Sequence, residues 1–276
     1  MFDAISCVAT GFLYAINPYI PMCLCLLFCL IATILSYRFK EIPKSKSFKE
    51  ESTNLGDYLK GLKYSFRYIL KSGRLKSLIL FCGIFFGFIN LLNSLRRSLL
   101  QDIGIEAQYL GIIFAFMGIF AAVAAYKENW FNKVFHNKFL ACCAIVLTFS
   151  AIFAGLAVIA PLPKSLLISF VLLMFAIQHI IKGAYFTLNK KYLSSFSTSG
   201  LRTKIYSVNN MLEAVCATIT SLACSFLLNS MSTAYATVIL GCIFTLILLR
   251  ILAYMKPRVG LKPEQYKKSD IPIEVQ

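Results

Sequence analysis

The polar positions of this chain are gathered into a few short stretches. Between them run long apolar blocks with neither the alternation of a strand nor the one-sided stripe of a surface helix. The blocks cover residues 18–37, 77–95, 109–126, 139–160, 165–188, 205–228 and 233–255. A helix needs about 20 apolar residues to cross a bilayer, so each block predicts a full membrane span. A shorter apolar piece, 4–16, would rise only about 20 Å as a helix, against a hydrocarbon core of about 30 Å. It carries no basic leader and no clear small-residue cleavage site, so it does not read as a signal peptide. It is expected to be the second half of a helix that starts upstream of Met1. The fold class expected is all-α: a polytopic helical membrane protein with seven full transmembrane helices and a partial N-terminal one.

Composition excludes a water-soluble globule. Of 276 residues, 58% are hydrophobic and only 14% charged, whereas a soluble domain carries roughly a quarter charged residues. The 28 Lys and Arg against 12 Asp and Glu give a formal net charge of +16. The basic residues fall between the apolar blocks and form no aromatic-interleaved groove, which points to the membrane surface and not to nucleic acid. Eleven lie in 38–76, three in 127–138, four in 189–204 and six from Arg250 onward, while the alternate loops hold only Arg96, Arg97 and Lys164. Lys and Arg collect on the cytoplasmic side. The loop 38–76 and the C-terminus are therefore expected to be cytoplasmic in a multi-pass protein of the plasma membrane.

Within that loop, 40–53 is polar with Pro43 and mixed charge, and reads as a linker. Residues 55–72 set Leu55, Tyr58, Leu59, Leu62, Phe66, Ile69 and Leu70 at spacings of three and four, with Lys60, Lys63, Arg67 and Lys71 elsewhere. The pattern predicts a basic amphipathic helix on the inner leaflet. All ten cysteines lie inside apolar blocks and read as small hydrophobes. Neither Cys23-x-Cys25 nor Cys142-Cys143 has a second pair to match, and His136 and His179 do not complete a site, so no metal or cofactor is expected. No HExxH, GxSxG or Walker loop is present, and the acidic residues are too few and scattered for acid/base work, so the chain does not read as an enzyme.

One span, a long basic loop with an amphipathic helix, then six spans with short loops: this order resembles the middle and C-terminal half of a major facilitator superfamily (MFS) transporter of the bacterial drug-efflux-like branch. GFLYAINPYIP (11–21) is similar to that superfamily's outer turn between its fifth and sixth helices. YLKGLKYSFRYILKSGRLKSLILF (58–81) resembles its central loop running into helix seven, and LLQDIGIEAQYLGIIFA (99–115) the turn into helix eight. KKYLSSFSTSGLRTKIYSVNNMLEA (190–214) resembles the turn between helices ten and eleven. The resemblance implies four parts: the end of a fifth and a whole sixth helix (1–37), a cytoplasmic linker (38–76), a C-terminal six-helix bundle (77–255) and a cytoplasmic tail (256–276). Such transporters rock two bundles about a substrate site at their shared midplane. The chain would then be a component or truncated form of a transporter for a small molecule, with efflux by a rocker switch. The lipid bilayer and either a separate N-terminal half or a second copy would be its partners. The alternative is an inactive fragment or a membrane-embedded interaction protein.

Charge at membrane depth is costly, by roughly 2.5–3.5 kcal/mol at the centre of a span, so each instance needs a reason. Glu213 and Lys182 lie at similar depth, each roughly 12 Å from the cytoplasmic ends of consecutive spans. Equal depth would allow an ion pair or a protonation switch; the other reading is that Lys182 snorkels toward the cytoplasm. Gln178 and His179 share a helical face with Lys182, Asn209 shares one with Glu213 and Thr220, and Asn90 and Asn93 line one side of 77–95 with Arg97. These polar faces would line a cavity or bond helix to helix. Arg202 and Lys204 are candidates for a cytoplasmic gate, or serve topology by charge alone. Gly83-x-x-x-Gly87 predicts close helix packing.

Overall fold

The computed structural model describes residues 2–17, 19–38, 63–64, 66–135, 138–196, 202–256 and 258. Most of the expected amphipathic helix 55–72, the linker 40–53 and nearly all of the tail lie outside these residues; 63–64 and 66–71 are helical. The described chain is all helix, with α1 (Phe2–Ile16), α2 (Tyr19–Tyr37), α3 (Gly73–Asp102), α4 (Ala107–Tyr126), α5 (Glu128–Phe135), α6 (Phe139–Ile159), α7 (Lys164–Ser195), α8 (Arg202–Leu228) and α9 (Thr233–Met255). Seven of these are long and apolar enough to cross a membrane. They are the seven that the apolar blocks predict, and α1 is the short N-terminal piece.

The breaks between helices have local causes. Asn17 precedes Pro18, and its Oδ1 accepts from the Tyr19 amide at 2.9 Å, capping α2. Ser72 caps α3 through its Oγ, which accepts from the Leu75 amide at 3.3 Å. Gly104, at φ +84°, turns the chain between α3 and α4, a left-handed conformation that side chains disfavour. Pro161 and Pro163 separate α6 from α7.

Two helices overrun their apolar blocks. At 30 and 32 residues, α3 and α7 rise about 45 and 48 Å, well beyond a core of about 30 Å. The blocks stop at charged residues, but Arg and Lys are good helix formers and the backbone ladder runs on through them.

α3 is the most enclosed helix, packed on α8 and α9. Its Phe85 ring lies 4.4 Å from Tyr185 of α7 and its Phe88 ring 4.6 Å from Phe244 of α9. Backbones approach closely where small residues face a neighbour, as membrane bundles require in the absence of a hydrophobic drive between helices. Gly83 and Gly87 face Leu212, Cys216 and Thr220 of α8, as their spacing predicts. Gly155 and Gly241 play the same part between α6 and α9, Gly183 faces Ala121 where α7 crosses α4, and Gly11 meets Gly111 where α1 lies on α4. α2 packs on α1 and has no buried residue.

The interior divides into two apolar clusters. The larger holds Leu75 to Leu95 of α3 with Tyr185, Val208 and Phe244; the smaller holds Leu99, Leu100 and Ile103 with Met117, Val171 and Phe175. On α3 the boundary between them falls at Arg96, and on α7 it falls at Gln178.

Candidate functional site

Arg96 and Gln178 form a polar layer at that boundary. Arg96 is 1% exposed and Gln178 is fully enclosed. The Arg96 Nε donates to Gln178 Oε1 at 2.6 Å, and Nη1 donates to Asn93 Oδ1 at 3.0 Å. Asn93 can reach because it sits three residues back on the same helical face. The Phe175 ring lies 6.0 Å from the guanidinium. His179, next in sequence to Gln178, has its Nδ1 hydrogen-bonded to the Phe175 carbonyl at 2.9 Å and its ring tilted 6.3 Å from Phe114.

Reading the span as ending at 95 places Arg96 in a loop and gives Arg97 the shared face with Asn93. The structure corrects the first point and leaves the second, since Asn90, Asn93 and Arg97 stay on one side of α3, exposed, half-buried and exposed in turn. α3 continues to Asp102, Arg96 points inward, and Arg97 is exposed with its guanidinium 6.0 Å from the Phe114 ring. A signal was available: Leu92, Leu95, Leu99 and Leu100 continue the apolar periodicity through the two arginines, so the face carrying Asn93 and Arg96 stays inside.

A second polar group lies on α8. Asn209 is buried, Glu213 is half-buried, and the Asn209 Nδ2 donates to Glu213 Oε1 at 2.7 Å. Lys182 is half-buried on α7, beside the crossing that Gly183 makes with α4. α8 lies chiefly against α3, and α7 against α4 and α6. Equal depth on consecutive helices therefore does not by itself join Lys182 to Glu213, and the carboxylate takes its hydrogen bond from its own helix. Asn90 is exposed on α3. Between α3 and α7, Cys82 Sγ donates to Asn189 Oδ1 at 2.9 Å, a use of a thiol that the reading as small hydrophobe does not anticipate.

At the opposite end of the bundle, Lys191 of α7 pairs with Glu128 of α5, and its Nζ also lies 3.4 Å from Asn129 Oδ1. Arg74 stacks 3.5 Å over Phe196, the Tyr206 hydroxyl donates to the Lys190 carbonyl at 2.8 Å, and Arg202 donates to the Ser194 carbonyl at 3.3 Å. Lys204 is half-buried in the first turn of α8. These contacts tie α7 to α8 and α5. The Lys191 side chain is 54% exposed but that of Glu128 only 11%, so Lys191→Met leaves a largely buried carboxylate unpaired and is expected to cost about 1–3 kcal/mol, with little dependence on salt. Thermal unfolding at two salt concentrations checks this.

Seven membrane-capable helices with a buried basic layer between two of them define a polytopic membrane protein, and the chain resembles the C-terminal part of an MFS-type transporter. The relative is the uncharacterized MFS-type transporter YxaM of Bacillus subtilis (strain 168), 27% identical over 223 residues that cover 78% of this chain and 52% of the relative. The chain thus spans about half the length of the curated relative it matches. No family model matches the chain, and no solved structure matches it.

Proposed function

We propose that this chain is the C-terminal part of an MFS-type secondary transporter that exports a small molecule across the plasma membrane by alternating access. The observation that carries this reading is the docking of α1 on α4. A helix from before the long basic loop lies against the bundle that follows it, with Gly11 and Gly111 in backbone contact. An interface between two rocking halves needs such a smooth, small-residue seam. In this reading the loop 38–76 and the C-terminus are cytoplasmic, on the strength of the basic-residue asymmetry. Glu213, Asn209, Lys182, Gln178, His179, Asn90 and Asn93 belong to the pathway, and Arg202 and Lys204 to its cytoplasmic gate.

The test is substrate-dependent efflux from cells making this chain alone and from cells also making the helices that precede the matched region in the relative, with membrane insertion confirmed in both. Transport is expected only when both are present, and Glu213→Gln is expected to lower it. No transport of a broad compound panel in either case would favour an inactive fragment or an interaction protein.

A further inference from the structure

Building on the pathway just proposed, we infer that the layer formed by Arg96 and Gln178 binds the carboxylate or phosphate of a solute, so that the transported molecule is an organic anion. Both hydrogen bonds of the guanidinium go to neutral amide oxygens, Asn93 Oδ1 and Gln178 Oε1. They satisfy donors but do not neutralise a charge. Among the described residues no carboxylate pairs with Arg96. A buried charge is ordinarily paired, because taking an ion out of water is costly.

The unused groups say what is missing. Arg96 Nη2 and Gln178 Nε2 are both buried and have no hydrogen-bond partner. Both are donors only, so whatever completes them must accept. A water molecule would supply an acceptor but would leave the charge uncompensated. An oxyanion supplies both, and the planar fork of arginine matches carboxylate and phosphate in shape. A cation or a cationic compound is repelled by the same charge.

Phe175 gives the layer an apolar wall 6.0 Å from the guanidinium, suited to the organic part of such a solute. The Arg96–Gln178 bond joins α3 to α7 and holds the two unused donors in one layer. Arg96 lies six residues before the end of α3, about 9 Å along its axis, and is enclosed by protein. A solute fits that position better than a lipid headgroup does.

The experiment is thermal unfolding of the full chain in neutral detergent with benzoate or phenylphosphonate, against benzamide and benzylamine at matched ionic strength. A parallel set uses nanodiscs with and without phosphatidylglycerol and no added solute. The two anions are expected to raise Tm in a saturable way, and the amide and the amine are not. Arg96→Gln should weaken the anion response about tenfold or more. Gln178→Glu places a carboxylate where Arg96 already bonds; it should keep the fold and abolish the response. Equal stabilisation by benzoate and benzamide, or an anion response unchanged in Gln178→Glu, overturns the proposal. Stabilisation by phosphatidylglycerol alone also overturns it, in favour of a lipid site. The readout is binding, so failed transport with intact anion binding counts against the transport reading only.

Discussion

Gly183→Val is expected to be among the most damaging single changes in the chain, costing about 3 kcal/mol or more and separating α4 from α7. A Cβ at Gly183 would lie 2.1 Å from the Ala121 carbonyl oxygen, 2.7 Å from its carbonyl carbon and 2.9 Å from its Cα. All three are backbone atoms in the middle of a helix. They cannot swing aside as a side-chain tip would, so the helices must part and lose the packing that holds them in lipid. Gly183→Ala already adds the offending carbon and should lower stability by about 1–3 kcal/mol. Gly118 is the control on α4, because a Cβ there meets nothing within 4 Å. Gly118→Ala should be neutral or stabilise by up to about 1 kcal/mol, through helix propensity alone. Unfolding of the purified variants in detergent, followed by circular dichroism and by size-exclusion profile, checks the contrast. Equal Tm values for Gly183→Ala and Gly118→Ala would refute the close approach.

The same pair of positions shows what was legible beforehand. Seven helices follow from the length and continuity of the blocks, since the other structure that satisfies its backbone in a membrane, the closed barrel, uses strands about half as long and alternating in polarity. Gly83-x-x-x-Gly87 carries its meaning within one helix, because both glycines lie on one face, and the structure seats that face on α8. Gly183 and Gly11 carry no such internal sign. Their partners, Ala121 and Gly111, lie on other helices, and a single sequence names neither the neighbour nor the height at which they cross.

Arg96 was missed for a different reason, although the leucine periodicity runs on through it. A hydropathy block ends at the first charge, yet here the helix continues and the charge turns inward to Asn93 and Gln178. Three residues read from one stripe also part company. Gln178 bonds to Arg96, His179 to the Phe175 carbonyl, and Lys182 stands near the α4 crossing. A helical face is more than 100° wide, and neighbours on two sides can share it.

The Arg96–Gln178 pair should respond asymmetrically to its removal. Gln178→Leu strips the 2.6 Å acceptor from a guanidinium that is 1% exposed. The Nε–H is then orphaned beside a charge that already lacks a counterion, at an expected cost of about 2–3 kcal/mol. Arg96→Met removes the charge and leaves a neutral amide unsatisfied, at about 1–3 kcal/mol, toward the lower end because the desolvated cation disappears with the bond. The double variant, Arg96→Met with Gln178→Leu, fills the layer with apolar atoms of similar length and leaves Asn93, which is only half-buried, to solvent or lipid-facing contacts. It should be more stable than the sum of the single losses by about 1–3 kcal/mol. A double-mutant cycle on unfolding in detergent measures this coupling directly. Strictly additive losses would mean that the two side chains stabilise the bundle independently, and the layer would then be two separate polar residues that happen to touch.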